Sequence, residues 1–315
     1  GAFLIPFTNE FYLHAILWSL TGIGMTFSSG SEEALVIDNL NKIKRKDLHH
    51  EYFIKSNSFI KLGSIFAPII GAILVKSFTI DVLWYVFAIG HLISAVVIWL
   101  FTSEATNLVK LPPLELIKKS YQTSKMGIAF AFRHRVIRYF IIAGLFVNLM
   151  MVSNLGMQPL LVELGMEEYQ LGYLYSITAL VNIGMSFLSR KFIDKDPRNL
   201  MSVVVLIVMI LLLSLMFVYP PFFYIACFIF IMRDGMFNFG MPVLFTYVHQ
   251  YIPEKIRATT ISAKSMLDQL VIALAYVGAG SLMDVFGPKY VLAFTGLFGI
   301  IVIYFYQKMR EKNHN

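Results

Sequence analysis

Apolar residues in this chain come in long unbroken runs separated by short polar connectors. A bilayer core of about 30 Å takes roughly 20 apolar residues in helical form. The runs at residues 11–31, 56–75, 82–102, 136–162, 169–189, 200–219, 222–248, 265–283 and 289–307 therefore predict nine membrane-crossing helices. The opening "GAFLIPF", residues 1–7, reads as the tail of a tenth. The expected fold class is an all-α polytopic membrane protein.

Composition sharpens this picture. Of 315 residues 57% are hydrophobic and only 14% charged, against about a quarter charged in soluble domains. The mean hydropathy is +0.70. A net charge of +7 suggests a nucleic-acid partner until the charges are located. Lys and Arg number six in 39–61, seven in 103–138, four in 190–198, three in 250–264 and three from 308 onward, which is 23 of 26. The opposite connectors hold only Lys76 and Lys289, with Glu10, Asp81, Glu163, Glu167, Glu168 and Asp284. Basic residues in short loops mark the cytoplasmic side, so the excess is topology and no nucleic-acid partner is expected. The C-terminus is placed in the cytoplasm and the protein in the plasma membrane, a bacterial cytoplasmic membrane in the simplest case.

The single cysteine, Cys227, excludes an intrachain disulfide and a cysteine metal cluster. Gly1 stands where an initiator Met is expected, so the chain reads as truncated at its start. No H-E-x-x-H, G-x-S-x-G or P-loop occurs. Neither an enzyme nor a cofactor or metal site is expected. The basic connector divides the chain into 1–102, a central loop at 103–135, and 136–315. Within the loop Leu114, Ile117, Tyr121 and Ile128 fall near one helical face, so it is either an interfacial amphipathic helix or a solvated linker.

Shifted by 211 residues, "GMTFSSGSEEALVIDNLNKIKRK" from Gly24 lies over "GMFNFGMPVLFTYVHQYIPEKIR" from Gly235, each an apolar helix entering a basic loop. Internal duplication of this kind marks secondary transporters. "TGIGMTFSSGSEEALVIDNL" resembles the fourth helix of the major facilitator superfamily, in its drug-efflux-like branches. "GSIFAPIIGAIL", Gly63–Leu74, is similar to that family's GxxxGPxxGG antiporter motif, with Ala67 and Ala72 replacing glycines. "SRKFIDKDPRN" resembles the loop between helices eight and nine, and "YIPEKIRATTIS" the loop after the tenth. Where the family's drug–proton exchangers often carry an Arg, Trp18 stands here. The resemblance implies two pseudo-symmetric helix bundles, the first lacking family helices one, two and most of three. It also implies ion-gradient-driven efflux of amphipathic small molecules by a monomer, with a proton or sodium as coupling ion and the lipid bilayer as surroundings. Uptake of a polar or anionic metabolite, or a non-transporting scaffold, stays open.

The small residues Gly63, Ala67 and Gly71, with Pro68, recur at four-residue spacing and predict a groove for close helix packing. Glu33 and Asp38 follow the predicted first span at the cytoplasmic boundary. By resemblance Asp38 belongs to a cytoplasmic latch, for which Arg190, Asp194 and Arg198 are the second-half counterparts. In 136–162, at about 100° per residue, Asn154 and Gln158 fall about 40° apart and Asn148 about 80° from Gln158. The three amides thus share one side, bonding neighbouring helices or lining a pocket, and Asn182 and Asn238 extend the argument. Met150, Met151, Met157, Met185, Met236 and Met241 suit either a core or a pocket for apolar ligands. Asp268 reads as a helix-end or gate residue. Arg233 and Asp234 come about 11 residues into their helix, roughly 17 Å deep. An ionisable group there costs at least about 2.5–3.5 kcal/mol. Adjacent residues point about 100° apart, so each is expected to face a different partner.

Overall fold

The computed structural model describes residues 1–8, 10–28, 31–45, 47–101 and 113–310. Among them there are helices and turns and no strand. The α-helices are α1 Phe11–Ser28, α2 Ser31–Lys42, α3 Leu48–Ser77, α4 Val82–Phe101, α5 Pro113–Arg133, α6 Arg135–Met151 and α7 Ser153–Glu163. They continue as α8 Glu168–Leu188, α9 Pro197–Ser214, α10 Phe223–His249, α11 Glu254–Phe286, α12 Pro288–Thr295 and α13 Phe298–Lys308.

Eight helical stretches among the described residues are long and apolar enough to cross a bilayer, with α6 and α7 forming one of them and α12 and α13 another. The predicted crossing at 11–31 differs. Its apolar stretch, Phe11–Met25, is shorter than the others, and the chain resumes at Ser31 as the polar α2, "SEEALVIDNLNK". Residues 1–7 form a 3-10 helix, Ala2–Phe7, whose Phe3 ring meets Tyr85 of α4 edge-on at 5.4 Å.

The chain divides into two compact units. The first holds residues 1–110 and 168–176. Within it Trp18 of α1 packs edge-on against Trp84 of α4, ring centroids 5.3 Å apart. The small-residue stripe of α3 meets residues 168–176. A Cβ added to Gly172 would lie 2.2 Å from the Pro68 carbonyl oxygen and 2.8 Å from the Ala72 Cβ, so only glycine allows this approach. Ser176 Oγ donates to the Ile65 carbonyl at 2.7 Å, one residue beyond the Ser64 carbonyl that Pro68 leaves without an intrahelical donor.

The second unit holds residues 111–167 and 177–315. Its core is aliphatic. Val204, Val205, Val208 and Leu212 of α9 and Ile137, Ile141 and Met150 of α6 are buried, and α13 packs on both helices while α10 packs on α9. Met157 is buried here as well, so Met150 and Met157 serve the core. The stretch 113–133 is helical, and α5 packs on α11, with Tyr121, Met126, Ile128 and Phe132 turned outward. Residues 102–112 of the central loop lie outside the described residues.

Candidate functional site

The span 135–163 is interrupted at its middle. Helix α6 ends at Met151 and α7 begins at Ser153. Around Val152 the backbone tightens to i→i−3 bonds, Val152 N to Leu149 O at 3.3 Å and Leu155 N to Val152 O at 2.9 Å. Neither Pro nor Gly stands at the break. The Ser153 hydroxyl donates back to the Met150 carbonyl at 2.7 Å, a local side-chain bond of the kind that competes with the regular helix.

Ser153 is fully buried, and its oxygen also accepts a bond from Arg233 of α10, Nη1 to Oγ at 2.5 Å. Arg233 Nη2 donates to Asn154 Oδ1 and, at 2.6 Å, to Asp234 Oδ1. Its Nε donates to the same carboxylate oxygen at 3.0 Å. The guanidinium carbon stands 5.2 Å from the Phe230 ring centroid. The side-chain exposures of Arg233 and Asp234 are 0% and 26%. The expectation that the two face different partners is therefore corrected. Their Cα–Cβ bonds diverge, but the long arginine bends its guanidinium around the helix onto the neighbouring carboxylate.

The following turn of α10 is also stitched laterally. Pro242 lacks an N–H, so the Asn238 carbonyl four residues back has no intrahelical donor. Ser186 Oγ of α8 supplies one at 3.4 Å, while Asn238 Nδ2 donates to the Asp234 carbonyl at 2.9 Å. The Asn182 Oδ1 atom, also on α8, is buried with no hydrogen-bond partner among the described residues.

A second charged centre lies on α6 and α11. Asn148 Nδ2 donates to Asp268 Oδ1 at 2.8 Å, and Lys264 Nζ bonds the other oxygen, Oδ2. Lys264 and Asp268 are 16% and 18% exposed. A Cβ on Gly144 would stand 3.1 Å from Lys264 Nζ and 3.2 Å from its Cε, so glycine makes the room the lysine occupies. Lys264 is not the connector charge the sequence suggests, because α11 is unbroken from Glu254 to Phe286 and carries it inside the apolar stretch 259–286. Asp268 stands nine residues along that stretch, about 14 Å from its start.

Asn148 bonds α11 and Asn154 bonds α10, while Gln158 is exposed. In the loop 189–199, Arg198 pairs with Asp196, Nε to Oδ1 at 2.9 Å and Nη2 to Oδ2 at 2.6 Å. Asp194 is exposed, and Arg190 lies over the Phe187 ring at 4.8 Å. Asp196, which the sequence reading passed over, also caps α9 by accepting from Arg198 N at 3.0 Å, with Pro197 at the first helical position. The Arg198 side-chain hydrogen bonds hold the Asp196 carboxyl below the usual carboxylate range. Glu33 and Asp38 belong to α2, but their side chains lie outside the described residues. Apart from the two charged centres, a cavity of about 1010 Å³ opens between α6, α11, α12 and α13, and no candidate residue lines it.

Two pairs of opposite charge are thus held within the second unit, each tied to a different half of the interrupted span. No curated relative matches the chain closely enough to add to this. The family model of the Major Facilitator Superfamily matches residues 1–275. With its helices and its membrane spans, the chain is an integral multi-pass member of the major facilitator superfamily, a family of secondary transporters rather than enzymes.

Proposed function

We propose that this transporter exports amphipathic small molecules, driven by an ion gradient, by alternating access across the plasma membrane, with its basic loops in the cytoplasm. The observation that carries the reading is the Arg233 environment. Arg233 is fully buried, and its guanidinium makes four hydrogen bonds to Asp234, Ser153 and Asn154. An anion anchor for metabolite uptake needs donors turned toward the substrate. These donors are turned into the protein, which favours the amphipath over the anionic metabolite.

Asp234 and Asp268 keep partial exposure, at 26% and 18%. Each is the carboxylate to which a coupling proton or sodium would come, in competition with Arg233 or Lys264. The drug-efflux-like sequence resemblance supplies the direction of transport.

The test is accumulation of cationic and neutral amphiphilic dyes in a pump-deficient strain expressing the protein, with and without a proton uncoupler and with sodium replaced. Expression should lower accumulation, and dissipating the coupling gradient should restore it. Unchanged accumulation for every amphiphile sinks the efflux reading. Arg233→Ala and Asp234→Asn should each reduce export while membrane insertion persists.

A further inference from the structure

The cavity beside the charged centres has a chemistry of its own. Its lining runs from Leu149 and Val152, at the break in the α6–α7 span, along α11 from Ala275 to Phe286 and onto α12 and α13. Tyr290 and Thr295 are the polar side chains in that lining, and the Thr295 hydroxyl is spent on the Leu292 carbonyl at 2.6 Å. Apart from the Tyr290 hydroxyl, nothing in the lining asks for a hydrogen bond. Its floor includes the buried Val152, Ala279 and Val291, and its rim includes the exposed Leu282, Phe286, Tyr290 and Phe294.

The dimensions match one leaflet. Ala275 to Phe286 is twelve residues of helix, about 16 Å from end to end, roughly half of the 30 Å hydrocarbon core. The groove therefore extends from near mid-membrane to the surface opposite the basic loops. At that surface stands Lys289, one of the few cations on that side. Its ammonium lies 4.1 Å from the Tyr219 ring centroid and 5.8 Å from that of Tyr290, which lines the groove. No carboxylate pairs with it among the described residues. A cation steadied by aromatic rings at the mouth of a hydrocarbon-lined slot one leaflet deep matches a phosphate joined to an acyl chain.

We propose that this groove is a phospholipid site, in which acyl chains lie along α11 and α12 and the phosphate rests on Lys289. The occupant is a lipid of the leaflet opposite the basic loops.

The test uses the full chain in nanodiscs containing a phospholipid with a photoactivatable group on its acyl chain, followed by mapping of the labelled peptides. Label should concentrate on residues 275–301. A Cβ added at Gly278 meets nothing within 4 Å, so Gly278→Leu fills the groove without a backbone clash and should remove that label while leaving label on the outward faces of α9 and α10. Lys289→Ala should lower groove labelling about fivefold at low salt, the worth of one lysine facing an anionic headgroup. Label spread evenly over all outward helices, or groove label indifferent to both substitutions, overturns the proposal. So does displacement of the label by a phosphate-free cationic dye but not by excess unlabelled phospholipid, which would make the groove a site for amphiphiles instead.

Discussion

Removing Asp234 strands a buried cation. Arg233 has no exposure, and two of its four recorded bonds end on the Asp234 carboxylate, at 2.6 and 3.0 Å. Asp234→Ala deletes both, leaving a guanidinium with only the neutral Ser153 and Asn154 as acceptors. Breaking one partner out of a buried pair costs about 3–5 kcal/mol, whereas replacing both partners by apolar residues of similar volume is often neutral or stabilising. Asp234→Ala should therefore destabilise by about 3–5 kcal/mol, and the double change Arg233→Met with Asp234→Leu should recover most of that loss. Cys227 is the one cysteine in the sequence and is partly buried on α10, the same helix as the pair. A thiol-reactive fluorogenic dye in detergent therefore reports the opening of this helix, followed across a temperature ramp or a graded SDS titration. The reasoning fails if Asp234→Ala lies within about 1 kcal/mol of the parent, the range of an exposed ion pair, or if the double variant is as unstable as the single one.

Asp268→Asn should keep the Asn148 contact while releasing Lys264, lowering gradient-driven transport yet preserving substrate binding, which dye binding to the purified protein measures separately. Gly172→Val should cost about 1–3 kcal/mol through overpacking, because its Cβ would meet the Pro68 carbonyl at 2.2 Å; a melting temperature unchanged in detergent refutes that contact. Asp196→Ala should lose the α9 cap, about 1 kcal/mol, whereas Asp196→Asn should retain it. Because Arg198 lowers the Asp196 carboxyl below its ordinary value of about 3.9, its contribution is full above that pH and lost as pH falls through the lower folded value. Parent and Asp196→Asn stabilities should therefore converge on acidification, and a difference that widens contradicts the assignment.

Length and hydropathy made most of the helices legible, because a bilayer permits few alternatives to an apolar helix about 20 residues long. The depth of Arg233 and Asp234 was legible for the same reason. Their pairing was not, since helical angles describe where Cβ atoms point and not where a four-carbon side chain can bend. Lys264 escaped notice because a basic residue beside a basic connector looks like topology, although the four-residue spacing in "AKSMLDQL" signals a helical ion pair with Asp268. The Asp-Pro step at 196–197 likewise announces a helix start. The break at Val152 had no Pro or Gly to mark it. It depends on Ser153, whose hydroxyl is also engaged by a residue 80 positions away, and sequence spacing does not carry such a contact.

That break gives the span a mechanical character. Its first half is fastened to α11 through Asn148 and its second half to α10 through Ser153 and Asn154. A shift of α11 pulls on one end of the segment and a shift of α10 on the other, with Val152 as the fulcrum between them. Parting Asn148 from Asp268, or Arg233 from Ser153 and Asn154, would slacken one tether and leave the other taut, so the two contacts would act on the span as on opposite arms of a lever.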